Sequence, residues 1–407
     1  MKTFLLLSLL FNCANSLSWL VFTDSHIDLS YKANSPNNCF LWSKIGTKCC
    51  RFNSIPLKPY NKSSKWGDLK CDIPPLLFDN IMEWIKSNLQ FDFIINTGDD
   101  CSHKDISQPF FDSNVKTLNY VWNTINTTFP NIPYYTVYGN HDEYIVDQTP
   151  PYITPYFIKK SSKNWGKWIN DINLKYGYYS HSYNSQYKII SFNSIYYDSN
   201  NIFIINSTEK DQKIINNQFN WLENEFNNSL NNNQKVIFLN HIPIGTSESS
   251  PYYNTNLKNL LNKYASTILI NSNGHTHRNQ FYLLKEGTNY IGYSYVPLSM
   301  TSDNHFPAFR IYNYNNNILD YTNYICNLTK IIEINQVICE KEYIFSEEYD
   351  IKGINLNNTI ELYNKISTND TYFQKYYMHY NRGGDYPPCI TDACKQTYLN
   401  DIINLTT

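Results

Sequence analysis

Five short apolar runs, far apart in the chain, each end in Asp, His or Asn, and this recurrence constrains the fold more than any other feature. Trp19 to Thr23 leads into Asp24-Ser25-His26, and Phe91 to Thr97 into Gly98-Asp99-Asp100, with His103 just beyond. Tyr134 to Tyr138 leads into Gly139-Asn140-His141-Asp142, and Lys235 to Asn240 into His241-Ile242-Pro243. Ala265 to Ile270 precedes Gly274-His275-Thr276-His277. Runs of this length, rich in β-branched and aromatic residues, read as strands, and unbroken apolar character marks strands covered on both faces. A Gly directly after a strand lets the chain turn sharply. Asp24 and His26, two residues apart on an extended segment, are expected to point to one side and reach one ion. Taken singly, each block is also what a turn Asp with a chance His would produce. Six of the nine histidines nevertheless fall in these blocks, which argues for one gathered site.

Between the runs, apolar residues at helical spacing predict helices over 76–89, 110–129 and 211–230. Segments 178–183 and 188–193 read as paired strands of a second sheet, and 281–324 is strand-rich, with turns at Glu286-Gly287 and around Asn315. Strand-helix alternation points to an α/β core. Residues 150–175 show no clear pattern, and two helices are expected after residue 325. Asp100 reads as a solvated loop carboxylate. His181, His305 and His379 read as packing or surface residues, His305 being the one nearest a motif context.

The first 16 residues have the pattern of a secretory leader: Lys2, an apolar run from Phe4 to Phe11, then small residues at 14–16. That run is too short to span a bilayer, and no second long apolar run follows, so the mature chain is expected to be exported, secreted or endolysosomal, without a transmembrane span. Asn-x-Ser/Thr triplets at Asn61, Asn126, Asn206, Asn227, Asn327, Asn357, Asn369 and Asn404 are candidate glycosylation sites. Cys389 with Cys394, and Cys326 with Cys339, are close enough for local bridges; Cys39, Cys49, Cys50 and Cys71 supply two more in an open pairing, leaving Cys101 odd. A net charge of -2 offers no footprint for a nucleic-acid polymer. The chain is read as a monomer.

The ordered set D-x-H, G-D, G-N-H-D, H, G-H-x-H resembles the signature of the calcineurin-like metallophosphoesterases, and within them the acid sphingomyelinase and sphingomyelinase-like phosphodiesterase branch. His103, four residues after Asp99, Trp66-Gly67-Asp68 before Cys71-Asp72, and Pro387-Pro388-Cys389 with Cys394 are similar to features of that branch. The resemblance implies an αββα sandwich of two mixed sheets flanked by helices, with a dimetal site at strand carboxyl ends. It implies a catalytic domain over 17–324 and a small helical, disulfide-bearing subdomain over 325–407. It also implies two zinc ions, one held by Asp24, His26, Asp99 and His277, the other by Asp99, Asn140, His241 and His275. His103 and His141 are then the catalytic acid-base groups. Ser102 stands where a ferric-tyrosinate enzyme needs Tyr, which argues against that chemistry.

The activity so implied is hydrolysis of a phosphodiester or phosphoanhydride by a metal-bridged hydroxide, on sphingomyelin and phosphocholine esters or on nucleotides. The leader runs almost directly into the first strand, leaving no room for the saposin-like domain of the sphingomyelinases, which favours soluble substrates. Asn279 replaces an acidic residue usual after G-H-x-H. Specificity is expected in loops near 143–165, 195–205, 245–255 and 299–307. The alternative reading is a catalytically inactive anchoring or binding protein on the same fold.

Overall fold

The computed structural model describes residues 16–40, 48–103, 111–143, 145–150, 153–205 and 209–403. Most of the expected leader, and the triplets at Asn206 and Asn404, lie outside the described residues. In chain order the strands are β1 (Leu17–Phe22), β2 (Cys39–Phe40), β3 (Ile55–Pro56), β4 (Phe93–Asn96), β5 (Tyr134–Thr136), β6 (Tyr179–Ser182) and β7 (Tyr187–Ser191). They continue as β8 (Lys235–Leu239), β9 (Ile268–Ser272), β10 (Gln280–Glu286), β11 (Asn289–Val296), β12 (Ala308–Asn315), β13 (Ile318–Ile325) and β14 (Glu340–Ile344).

Two six-stranded sheets form, in the orders β14-β13-β12-β1-β4-β5 and β10-β11-β9-β8-β7-β6. Both are mixed. β1, β4 and β5 run parallel, as do β7, β8, β9 and β11, while antiparallel strands complete each sheet. β8 shows why the sheets stack. Its Ile237 and Leu239 join the core that also holds Trp19 and Phe93 of the other sheet. Its Val236 and Phe238 face the opposite way, onto Phe219, Leu222 and Phe226 of helix Glu209–Asn231 and Leu257 of helix Pro251–Lys263. A strand apolar on both faces is thus covered by a sheet on one side and helices on the other. Helices Pro75–Asn88 and Phe111–Thr128 contribute Leu77, Ile81, Ile85, Val121 and Ile125 to the larger core. The architecture is the expected α/β sandwich of two mixed sheets flanked by helices.

Several elements differ from expectation. The unpatterned stretch holds helix Thr154–Ser161 and two 3₁₀ turns, too short for a helical period to show. The loop expected near 245–255 gives way to helix Pro251–Lys263, started by Ser250, whose side chain accepts from the Tyr253 N–H, and by Pro251 at the first helical position. Among the described residues after 325 there are five helices, not two, together with β14. Their starts are hidden by composition: Asn327, Asn355 and Asn369 look like loop residues, yet each caps a helix through its side chain. The Asn-rich turn between β12 and β13 places Asn316 and Asn317 at φ 51° and 62°, a hairpin geometry that Asn tolerates.

Cys39–Cys49, Cys50–Cys71, Cys326–Cys339 and Cys389–Cys394 are disulfide-bonded, which settles the pairing left open, and Cys101 is a buried thiol outside any disulfide. Asn61, Asn227, Asn357 and Asn369 are exposed, while Asn126 and Asn327 are half-buried. Among the described residues no helix is long and apolar enough to cross a membrane.

Candidate metal centre

The ends of β1, β4, β5, β8 and β9 meet at one edge of the sandwich. Asp24 and His26 do not lie on an extended segment as expected. Both adopt left-handed backbone conformations, φ 47° and 42°, as do Asp99 at 58°, His275 at 75° and His277 at 59°. Such conformations cost roughly 1–3 kcal/mol each outside Gly and persist where the surroundings over-determine them. Here the loops lock into one another. The Asp24 N–H donates to Gly98 O at 2.8 Å, and the His26 N–H to Asp99 O at 3.0 Å. The His275 N–H donates to Asp24 Oδ1 at 2.9 Å. Left-handed turns, rather than strand pleat, bring Asp24 and His26 to the same side.

Asp142, which sequence reasoning passed over, is the organiser of these loops. Its buried carboxylate accepts from the backbone N–H groups of Asp99 and Asp100 at 2.8 Å, Gly139 at 2.9 Å and Cys101 at 3.0 Å. Gly139 is required for a packing reason: a Cβ there would overlap the Asp99 carboxylate and amide. Asp100 is not solvated. It is buried and accepts from Asn96 Nδ2 at 2.9 Å, and burial, with Asp142 beside it, pushes its carboxyl well above the usual range.

Three sets of candidate donors overlap here: two meet on Asp99, and the third is His26, His103 and His277. Asp24, His26, Asp99 and His277 offer ligand atoms within 4.8 Å of one another, and so do Asp99, His241 and His275. Asn140 joins the second group, its Oδ1 lying 3.0 Å from both His241 Nε2 and His275 Nδ1. The hydrogen bonds around these atoms show what the groups suit. His241 Nδ1 lies 2.8 Å from Thr97 O and His26 Nδ1 2.8 Å from Cys101 O. A carbonyl can only accept, so each Nδ1 carries the proton and each neutral ring presents an Nε2 lone pair. Asn140 Nδ2 donates to Asp147 Oδ1 at 2.8 Å, which fixes the amide with its oxygen inward. With Nδ1 holding the single proton of a neutral ring, the His241 Nε2 lone pair faces that of Asn140 Oδ1 at 3.0 Å. A cation satisfies that arrangement.

The electrostatics agree. Burial is the main cause lifting the Asp24 carboxyl to about 6, with His241 opposing it and Asp99 adding to it. Burial, then the neighbouring His103, holds His26 and His277 well below the ordinary imidazole value, which keeps their lone pairs free.

His103 stacks on His26 with ring centroids 3.9 Å apart, and its Nδ1 meets Asp72 Oδ1 at 2.7 Å. Asp72 also accepts the His103 N–H at 2.8 Å. Burial works against the imidazolium of His103, but the Asp72 carboxylate outweighs it and raises the pKa above 6.5. Among the described residues His141 has no carboxylate partner and its buried Nδ1 no hydrogen bond, while burial and nearby histidines lower its pKa. Both rings line an open cleft of about 240 Å³, walled also by Arg278, Asp303 and Asn304. Of the expected specificity loops, 299–307 supplies this wall; Arg278 was not anticipated. His305 is buried 6.4 Å from the His277 ring, while His379 sits between Glu342 and Glu348, away from the cleft.

Residues 20–279 match the calcineurin-like phosphoesterase family, well over half of the chain, and the chain belongs to that family. It is therefore an enzyme of phosphoester hydrolysis, in a family that uses a dimetal centre, and it presents candidate metal-binding residues. It is 28% identical over 411 residues to cyclic GMP-AMP phosphodiesterase SMPDL3A of Homo sapiens, spanning 94% of this chain and 86% of that protein. It is 27% identical over 412 residues to sphingomyelin phosphodiesterase 1 of Caenorhabditis elegans, spanning 95% and 70% respectively. To sphingomyelin phosphodiesterase A of Dictyostelium discoideum the identity is 26% over 407 residues, spanning 95% and 66%.

Proposed function

We propose that the chain is an exported zinc-dependent phosphodiesterase acting on soluble phosphodiesters or phosphoanhydrides, nucleotides first among them. The observation that carries this reading is the pair of donor groups meeting on Asp99, whose Oδ2 lies 3.6 Å from His26 Nε2 and 3.3 Å from His241 Nε2. Asp24, His26, Asp99 and His277 would hold one ion, and Asp99, Asn140, His241 and His275 the other. Mixed N and O donors suit zinc. Two such ions supply a water of lowered pKa and neutralise the non-bridging phosphate oxygens.

The chain's own residues handle the leaving group. In hydrolysis an oxygen of water bonds to phosphorus, the bond to the leaving oxygen breaks, and that oxygen takes up a proton. His103 is the acid that delivers it, since Asp72 holds its Nδ1 proton and favours the charged ring. His141, without a carboxylate, is the neutral partner that hydrogen-bonds the phosphate. Four disulfides and exposed Asn-x-Ser/Thr triplets support an oxidising, exported setting. A catalytically inactive anchoring protein would not need the complete donor set.

The test combines metal analysis with a substrate panel: bis-p-nitrophenyl phosphate, ATP, CDP-choline, a cyclic dinucleotide, and sphingomyelin in detergent. The expected result is about two zinc ions per chain and faster turnover of nucleotides than of sphingomyelin. Hydrolysis of none of them, with metal bound, returns the chain to the inactive reading. Sphingomyelin as the best substrate overturns the choice of soluble substrates.

A further inference from the structure

Arg278 follows directly on the second His of the G-H-x-H block and lines the cleft beside His275, His277 and His103. The segment after residue 325 holds it in place. Its Nη2 donates to the Tyr386 hydroxyl, and its guanidinium lies 4.8 Å from the Tyr386 ring centroid and 5.8 Å from that of Tyr380. Tyr386 is delivered by a glycine turn. Gly383 has φ 83°, and a Cβ on Gly384 would strike the Tyr386 ring and the Asn304 carbonyl. Nη1 has no hydrogen-bond partner among the described residues and is closed off from solvent behind the rest of the side chain, which itself is half-buried. Among the described residues no carboxylate pairs with Arg278. Asp303, the acid on the same wall, is taken by Lys48 at 2.7 Å. A positively charged fork, braced by two aromatic rings, therefore lines the cleft of the metal centre.

We propose that Arg278, positioned by Tyr386 and Tyr380, is a subsite for a second phosphate of the substrate, next to the one attacked. A guanidinium matches phosphate oxygens in both geometry and charge. The inference rests on the proposed phosphodiesterase activity and narrows it to nucleotides carrying two or more linked phosphates.

The experiment uses the full chain with metal bound and compares wild type with Arg278→Gln and Arg278→Met, the latter keeping the aliphatic stem over the tyrosines. Two readouts are taken: kcat/KM for CDP-choline and ATP relative to thymidine 5′-p-nitrophenyl phosphate, and calorimetric binding of α,β-methylene-ADP relative to AMP. Losing charge-assisted hydrogen bonds to phosphate should lower both ratios by roughly 10- to 100-fold. Ratios unchanged in a folded variant, or equal losses for substrates with one and with two phosphates, overturn the subsite. If wild type hydrolyses no phosphodiester at all, the failure lies with the proposed activity, and the binding ratio still decides the subsite.

Discussion

Replacing Asp72 by Asn separates the proton chemistry of the cleft from its metal chemistry. Asp72 is fully buried and belongs to none of the candidate donor groups, although its partner His103 belongs to one of them. It meets His103 twice, at Nδ1 and at the backbone N–H. The amide oxygen of Asn can keep the backbone bond, so what is lost is the charge facing the imidazolium. A hydrogen bond to a charged group contributes about 1.5–3 kcal/mol, and one pKa unit is about 1.36 kcal/mol. The His103 pKa should therefore fall by about 1–2 units. The alkaline limb of kcat against pH should move down by the same amount, so that nucleotide turnover at pH above both limbs drops by roughly 10- to 100-fold and recovers as pH is lowered. p-Nitrophenolate is a far weaker base than an alkoxide and leaves without protonation, so bis-p-nitrophenyl phosphate should slow much less. Stability follows with its own signs. His103 is raised, so its contribution is complete below its unfolded value and lost as pH rises through the folded pKa. Asp72 is lowered by His103 against the opposing effect of burial, so its contribution is complete above its unfolded value and lost as pH falls through the folded pKa. The pair thus stabilises most between those limits, and the variant should be most destabilised there. An unmoved alkaline limb, or equal slowing of both substrates at normal zinc content, would refute the assignment of His103 as proton donor.

Other perturbations address the metal groups. Gly139→Ala should push Asp99 out of place and cost at least ~10²-fold in activity with loss of zinc; full metal occupancy would show that the loop yields freely. Asp142→Asn leaves part of a four-donor nest unsatisfied and should destabilise the fold by on the order of 3 kcal/mol in urea unfolding; a change below 1 kcal/mol would remove its organising role. His103→Ala should lower turnover by ~10²–10⁴-fold while zinc stays bound, and zinc loss would instead make His103 a ligand. Asp99→Asn should lose both metal and activity. Chelation should lower the thermal midpoint, and free zinc at a hundred times its Kd should restore about 2.7 kcal/mol; an identical midpoint with and without metal would mean that nothing is bound there.

The strand ends were legible because each combines two local signals: an apolar run that must be buried, and a polar side chain that makes no sense at a buried end unless something binds it. Those signals marked the blocks; the family resemblance implied Asp24, His26, Asp99, Asn140, His241, His275 and His277 as donors, and the structure brings these seven side chains together. The sequence misled on the means for Asp24 and His26, because alternation predicts side only while the backbone stays extended, and both residues lie in left-handed turns. It also misled on Asp100, since exposure of a loop carboxylate depends on what packs over it.

Period, spacing and composition within short windows determined an α/β core, a second sheet, polar strand ends that belong to one gathered site and a surplus of cysteine suited to disulfides, while the two-sheet sandwich with its site at the strand ends came from the family resemblance of those ordered blocks. Only the tertiary structure decided that Asp142 cradles four amides, that Asp72 holds His103, and that Tyr386, 108 residues away, braces Arg278. Those partnerships join loops with no shared periodicity. Which polar group meets which is set by where the loops come to rest once the apolar strands have packed.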